Sequence, residues 1–201
     1  MIMLLFHKTL SPCIIQQAFE KSYDHMPRII LRPITTQDTE NIVKWRNLPA
    51  VRQNFIYQQE LTPAEHEAWL QNRVLTKQVY QFIIQETETK KDIGSVYLRD
   101  VDLVNQKAEF GIFIGETEWH GKGLGTQAAQ QILAFAFDEL QLHKVFLRVL
   151  AHNQAAIASY QKVGFVQEGA FRDDVFLNGK FHEVIFMAML VSDYKKKKIN
   201  S

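Results

Sequence analysis

Cysteine is nearly absent. Cys13 alone, among 201 residues, excludes an internal disulfide framework, and no histidine-rich spacing accompanies it to suggest a metal site. A reducing, cytoplasmic compartment is the expectation. Charge of one sign is lacking too: a formal net charge of +1 offers no basic groove for nucleic acid and no attraction to an anionic membrane. Small molecules are the expected partners. Long apolar runs are also missing. Residues 1–6 are apolar, but His7 and Lys8 end the run far short of the roughly 20 residues that span a bilayer. Basic residues after that run, with no small-residue cleavage site, do not fit a secretory signal.

Several familiar motifs fail in detail. Five residues separate Gly115 from Gly121 where a P-loop has four, and Gly123 stands where its hydroxyl residue belongs. Thr126 occupies the last glycine or alanine position of a dinucleotide fingerprint. Leu70 sits where a zinc motif beginning at His66-Glu67 would need its second histidine, and Ser159 lacks the flanking glycines of a nucleophile elbow. No metal is expected.

What remains is 46% hydrophobic and 22% charged, the balance of an ordinary domain with one substantial core. Met26 precedes the first strand pattern, so residues 1–25 read as an N-terminal extension, 26–192 as one domain, and 193–201 as a solvated basic tail. A strand is expected over 28–34, followed by a helix capped around Thr35, Thr36 and Asp38 that carries Val43 and Trp45. Thr62-Pro63-Ala64-Glu65 is a capping box with proline in the first turn, predicting a second helix with His66 and Trp69. Strands follow over 79–86, 94–99 and 108–115. A glycine-rich loop then leads to a long helix ending near Leu140, a strand over 144–150 and a short helix over 154–163. Further strands are expected over 165–168, 174–177 and 181–190, the last two joined by Asn178-Gly179, a two-residue hairpin turn. This order is a mixed α/β (α+β) fold: a central, largely antiparallel twisted sheet flanked by helices, with one strand–helix–strand crossover over 108–150.

Two segments carry chemistry. In Trp119-His120-Gly121-Lys122-Gly123-Leu124-Gly125-Thr126, alternate glycines let the backbone turn sharply and present N–H groups to an anion, reinforced by the following helix N-terminus. The loop reads as a pyrophosphate cradle or as a plain structural turn. In the second, Asn153 caps a short helix whose seven-residue spacing brings Tyr160 to the same face, and Gly164 and Phe165 suit the helix end and the next strand.

Together these segments resemble the GNAT superfamily of N-acetyltransferases, over residues 28–190. Leu31-Arg32-Pro33, Ala108-Glu109-Phe110-Gly111 and Asn178-Gly179-Lys180 resemble its RimJ/RimL-like branch. The resemblance implies a GNAT-like acyl-CoA N-acyltransferase fold and transfer of acetyl from acetyl-CoA to a primary amine. It assigns the cofactor loop to His120, Gly121, Lys122, Gly123, Leu124, Gly125 and Thr126. It places main-chain groups at Phe113 and Ile114 on the acyl-pantetheine arm, with Asn153 assisting. It makes Tyr160 the general acid for the departing thiolate. Glu109 matches a strand carboxylate that accepts the amine proton or forms an edge charge pair. His120 departs from the usual Gln or Arg, so CoA affinity is expected to depend on pH. Trp45, Arg46, Asn47 and His66 resemble the pattern of members acting on nucleotide-linked amino sugars, which makes that amino group the expected acceptor. A protein N-terminus, a polyamine or an antibiotic amine are the alternatives. A homodimer is compatible with the pattern, and a non-catalytic acyl-CoA sensor is the reading from another class.

Overall fold

Side chains alternate along each strand and so separate two faces of one sheet. The computed structural model describes residues 28–199, and the expectation for residues 1–25 lies outside them. Strands β1 (Ile29–Pro33), β2 (Tyr80–Glu86), β3 (Asp92–Asp102), β4 (Lys107–Ile114), β5 (Lys144–Leu150), β6 (Val166–Leu177) and β7 (Lys180–Leu190) form a seven-stranded sheet in the order β1-β2-β3-β4-β5-β7-β6. Every neighbouring pair is antiparallel except β4–β5, which the crossover helix makes parallel. The fold class matches the sequence expectation.

One face carries Leu31, Phe82, Ile84, Val96, Leu98, Ala108, Phe110, Val145 and Leu147, buried with Leu124, Ala128 and Ile132 of helix α4 (Leu124–Ala134). The helix continues as a π-helical turn, Phe135–Glu139. Helix α5 (Gln154–Val163) packs on this side through Ile157 and Val163. The other face carries Ile83 and Phe113, covered by Ile42 and Trp45 of α1 (Thr39–Asn47) and Val51 of α2 (Pro49–Arg52), with Leu70 joining the same cluster. Leu70 begins the π-helical turn that follows α3 (Pro63–Trp69). The capping box forms as expected: Glu65 N–H donates to Thr62 Oγ1 at 3.3 Å, and Thr62 N–H donates to Glu65 Oε2 at 2.8 Å. Trp45 is buried against Gly115, where any Cβ would overlap the indole.

Two elements differ from expectation. Val166–Leu177 forms one long strand rather than two, because bulges between Gln167 and Gly169 and between Phe171 and Val175 absorb the break in pattern. Asn178 and Gly179 take the positive φ values, 51° and 81°, that their turn requires. The expected basic tail is instead helical up to Ile199, as α6 (Val191–Ile199). Its lysines find partners there: Lys197 Nζ donates to the carbonyls of Lys162 (2.6 Å) and Val163 (2.7 Å), capping the C-terminal end of α5. No helix among the described residues is long and apolar enough to cross a membrane.

The feature that positions the site is a short ladder. β4 and β5 pair only at Lys107–Lys144, Ala108–Val145 and Glu109–Phe146. Beyond Glu109 the two strands separate, and the sheet opens into a cleft of about 630 Å³.

Candidate active site

The glycine loop closes one end of this cleft. Gly121 and Gly123 have φ of 72° and 79°, and a Cβ on either would meet no atom within 4 Å, so the backbone conformation and not crowding calls for glycine. Gly123 is the N-cap of α4, whose first N–H groups, at Leu124, Gly125 and Thr126, have no intrahelical partner. They are donors for an anion, strengthened by the helix dipole. Lys122 is directed elsewhere, with its ammonium 4.5 Å from the Trp119 ring centroid, and it does not line the cleft.

His120 has a local partner. Its Nε2 lies 2.9 Å from the carbonyl of Ile114, and because a carbonyl only accepts, that nitrogen carries the proton. The histidine therefore ties the loop to the end of β4. Substituting His120 with alanine is expected to weaken CoA affinity, and glutamine, which keeps a donor, is expected to restore most of it; titration calorimetry with CoA checks both.

Strand parity decides which main-chain groups face the cleft. Gly115 N–H donates to Ile93 on the β3 side, so Ile112 and Ile114 turn their N–H and C=O groups the opposite way, toward the gap left by β5. Phe113, expected at this position, points its main chain at β3 and its ring into the core beside Trp45 and Phe55. The backbone that faces the gap is thus that of Ile112 and Ile114.

Tyr160 comes off α5 onto the same opening. Its ring packs edge-on against Phe110 at 5.8 Å and Phe165 at 6.0 Å, and its hydroxyl has no hydrogen-bond partner among the described residues. Burial, with Tyr97 nearby, pushes its pKa well above the ordinary phenol value, so it keeps its proton. Asn153 caps α5 through Oδ1, accepting from Ala156 N–H at 3.2 Å, which leaves its amide nitrogen for the cleft. Thr126 and Ser159 lie 3.3 Å apart, hydroxyl to hydroxyl, linking α4 and α5 across the loop end.

On the opposite sheet face, alternation and register assemble a polar floor. Tyr97 pairs with Gly111 and Arg99 with Glu109, so these positions sit side by side, and Arg148 of β5 turns to the same face. A Cβ at Gly111 would overlap the Tyr97 ring, so that glycine makes the seat for the tyrosine. Glu109 is buried and doubly paired. Arg99 donates to it from Nε and Nη2 at 3.1 and 2.9 Å, and Arg148 from Nε and Nη2 at 3.1 and 3.2 Å. Burial alone would raise the carboxyl pKa, but the hydrogen bonds and charges of the two arginines outweigh it and hold the group below its usual range.

The four residues expected at the acceptor separate. Arg46 stacks on Phe55, 3.4 Å from its centroid, directly behind the cleft wall, and its Nη1 is buried without a partner among the described residues. The other three are not among the cleft-lining residues. Trp45 donates its indole N–H to Glu116 Oε1 at 2.9 Å. Asn47 binds both backbone groups of Leu61 at 2.8 Å, stapling the chain between α2 and α3. His66 is buried between α1 and α3, with Nδ1 3.0 Å from Thr39 Oγ1. Local partners satisfy the polar atoms of Trp45 and Asn47, whereas His66 is met only at Nδ1, its Nε2 being buried without a partner among the described residues.

His66 instead sets a pH dependence of stability. Burial depresses its pKa below the ordinary 6.5, and Asp38 offsets this in part. The unfolded chain therefore takes up the proton first on acidification. The stability tied to neutral His66 is whole above 6.5 and is lost as pH falls below it. Thermal midpoints measured from neutral to mildly acid pH should fall, and His66→Gln should flatten that part of the slope.

Tyr97, Arg99, Arg148, Phe55 and Tyr57 line the cleft and were absent from the sequence-derived site. The signal that could have found them was charge inside apolar strands, at Arg99 and at Arg148 within Lys144–Leu150.

Against this geometry, the family model described as "Acetyltransferase (GNAT) domain" matches residues 28–166. The chain belongs to the GNAT acetyltransferase family. A spermidine N(1)-acetyltransferase of Escherichia coli K12 is 38% identical over 101 residues, covering 50% of this chain and 54% of that protein. YdaF of Bacillus subtilis, named as a candidate ribosomal N-acetyltransferase, is 33% identical over 105 residues, covering 52% and 57%. The chain thus spans little more than half the length of these two relatives. Among solved structures, spermidine N-acetyltransferase from Vibrio cholerae in complex with CoA and spermine superposes with a TM-score of 0.79 at 27% identity, covering 84% of this chain and 98% of that one.

Proposed function

We propose that this GNAT family member transfers the acetyl group of acetyl-CoA to the primary amine of a small molecule. The observation that carries the reading is the opening between β4 and β5. It sets a glycine loop with free helix N-terminal donors at one end, and the Tyr160 hydroxyl and the outward-facing backbone of Ile112 and Ile114 inside. Leu124, Gly125 and Thr126 N–H groups would hold the CoA pyrophosphate, with His120 fixing the loop and Asn153 meeting the pantetheine arm. A backbone N–H on the free edge of β4 would polarise the thioester carbonyl. As the C–N bond forms and the C–S bond breaks, Tyr160 donates its proton to the departing thiolate, and the proton that the amine nitrogen loses restores the Tyr160 hydroxyl, directly or through solvent. Glu109, committed to two arginines, holds Arg99 and Arg148 in place rather than taking the amine proton. A single transferase domain over 26–192 belongs to the same proposal.

For the acceptor, the Escherichia coli relative and the Vibrio cholerae structure, both named for spermidine, support the polyamine alternative over the nucleotide-linked amino sugar. A mass increase of one acetyl group on a member of an amine panel, with acetyl-CoA present, tests the reaction and identifies the acceptor. No acetylated product with any class, despite CoA binding, would instead favour a non-catalytic acyl-CoA sensor.

A further inference from the structure

The acceptor end of the cleft is positively charged, and its one carboxylate is already neutralised. Among the lining residues Arg99, Arg148 and Lys162 are basic, and Glu109 is the single acid. Each arginine spends Nε and Nη2 on Glu109, which leaves both Nη1 groups outside that pairing. Glu109 is the last paired residue of β4, so the two forks are fixed where the strands part. The Tyr97 hydroxyl lies in the field of Arg99, Arg46, Glu109 and Arg148, and Tyr57 is a side-chain hydrogen-bond partner of Arg148, so the Arg99 fork is the less committed of the two. Behind Phe55, Arg46 adds a third guanidinium, its buried Nη1 without a partner among the described residues.

A polycation entering here meets like charge with no free carboxylate to receive it, whereas planar guanidinium donors suit an oxyanion. We propose that the acceptor amine carries an oxyanionic group, a carboxylate or a phosphate, held by Nη1 of Arg99 and Arg148 beside the Tyr97 hydroxyl. The specificity rests on the acetyl-transfer reading and replaces the polyamine that likeness to the spermidine-named relatives supports, because it is argued from the charge of this chain's own cleft residues. The same positive wall has a second effect: it disfavours the ammonium form of the acceptor and so supplies the neutral amine that attack on a thioester requires.

The test uses the full chain, titrated first with CoA and then, with CoA saturating the loop, with inorganic pyrophosphate or with spermine. Pyrophosphate is expected to bind the CoA-loaded protein and spermine is not. Arg99→Lys keeps a positive charge beside Glu109 but loses the free Nη1, and should weaken pyrophosphate binding roughly tenfold or more. Binding of spermine but not pyrophosphate, equal binding of both, binding of neither, or unchanged pyrophosphate affinity in Arg99→Lys would overturn the proposal. Failure of the first titration, with CoA itself, would instead overturn the acetyl-transfer reading on which the proposal rests. In a separate arm, glucosamine 6-phosphate and β-alanine as competitors of pyrophosphate distinguish a phosphate from a carboxylate ligand.

Discussion

Replacing Tyr160 with phenylalanine is expected to lower turnover roughly 100-fold or more while leaving CoA affinity nearly unchanged, the range typical of losing a positioned general acid. The ring does the packing, edge-on to Phe110 and Phe165, and phenylalanine reproduces those contacts. The hydroxyl has no partner among the described residues, so its removal strands no buried donor or acceptor. What disappears is the phenol proton that α5 presents to the opening. A merely structural tyrosine would show little change in either quantity. Stopped-flow turnover at saturating substrates, paired with CoA calorimetry, separates the outcomes, and unchanged turnover would remove Tyr160 from the mechanism.

Replacing Glu109 with leucine should be the most destabilising single change at the site, costing about 3 kcal/mol or more, as expected when one partner is removed from a largely buried ionic cluster. Arg99 and Arg148 side chains are only 21% and 23% exposed, and without the carboxylate two guanidiniums face each other across the strand junction. The damage should also reach the cleft, because the junction is where β4 and β5 diverge. Glu109→Gln, which keeps one acceptor oxygen, should cost less. Urea unfolding of the three proteins checks the order. A loss below about 1 kcal/mol for the leucine variant would mean that solvent already screens the cluster.

The local parts of this architecture were legible because their signals are local. The Thr62–Glu65 capping box, the Asn178-Gly179 turn, the glycine N-cap of α4 and the Asn153 cap of α5 each rest on residues within a few positions of one another. The two motif segments likewise located the loop and Tyr160. The acceptor side was not legible, for a physical reason. Arg99 and Arg148 lie 10 and 39 residues from Glu109, and only strand register brings them together. Trp45, Asn47 and His66 show the opposite failure. Their residue types suit a ligand, but whether a polar side chain meets a ligand or a neighbouring protein group depends on how α1 packs against α3 and the residues that follow β4. Parity, similarly, shifts the gap-facing backbone from Phe113 to Ile112, a distinction of one residue that the bond from Gly115 N–H to Ile93 fixes.

The most direct test of acetyl transfer is thiol release from acetyl-CoA, followed with and without an amine, across polyamines, amines bearing a carboxylate or phosphate, aminoglycosides and N-terminal peptides. The predicted result is release that requires an amine, is fastest with an acceptor bearing an oxyanion, and drops with Tyr160→Phe. Release that proceeds equally without any amine, or none with any amine while CoA binds, would contradict it.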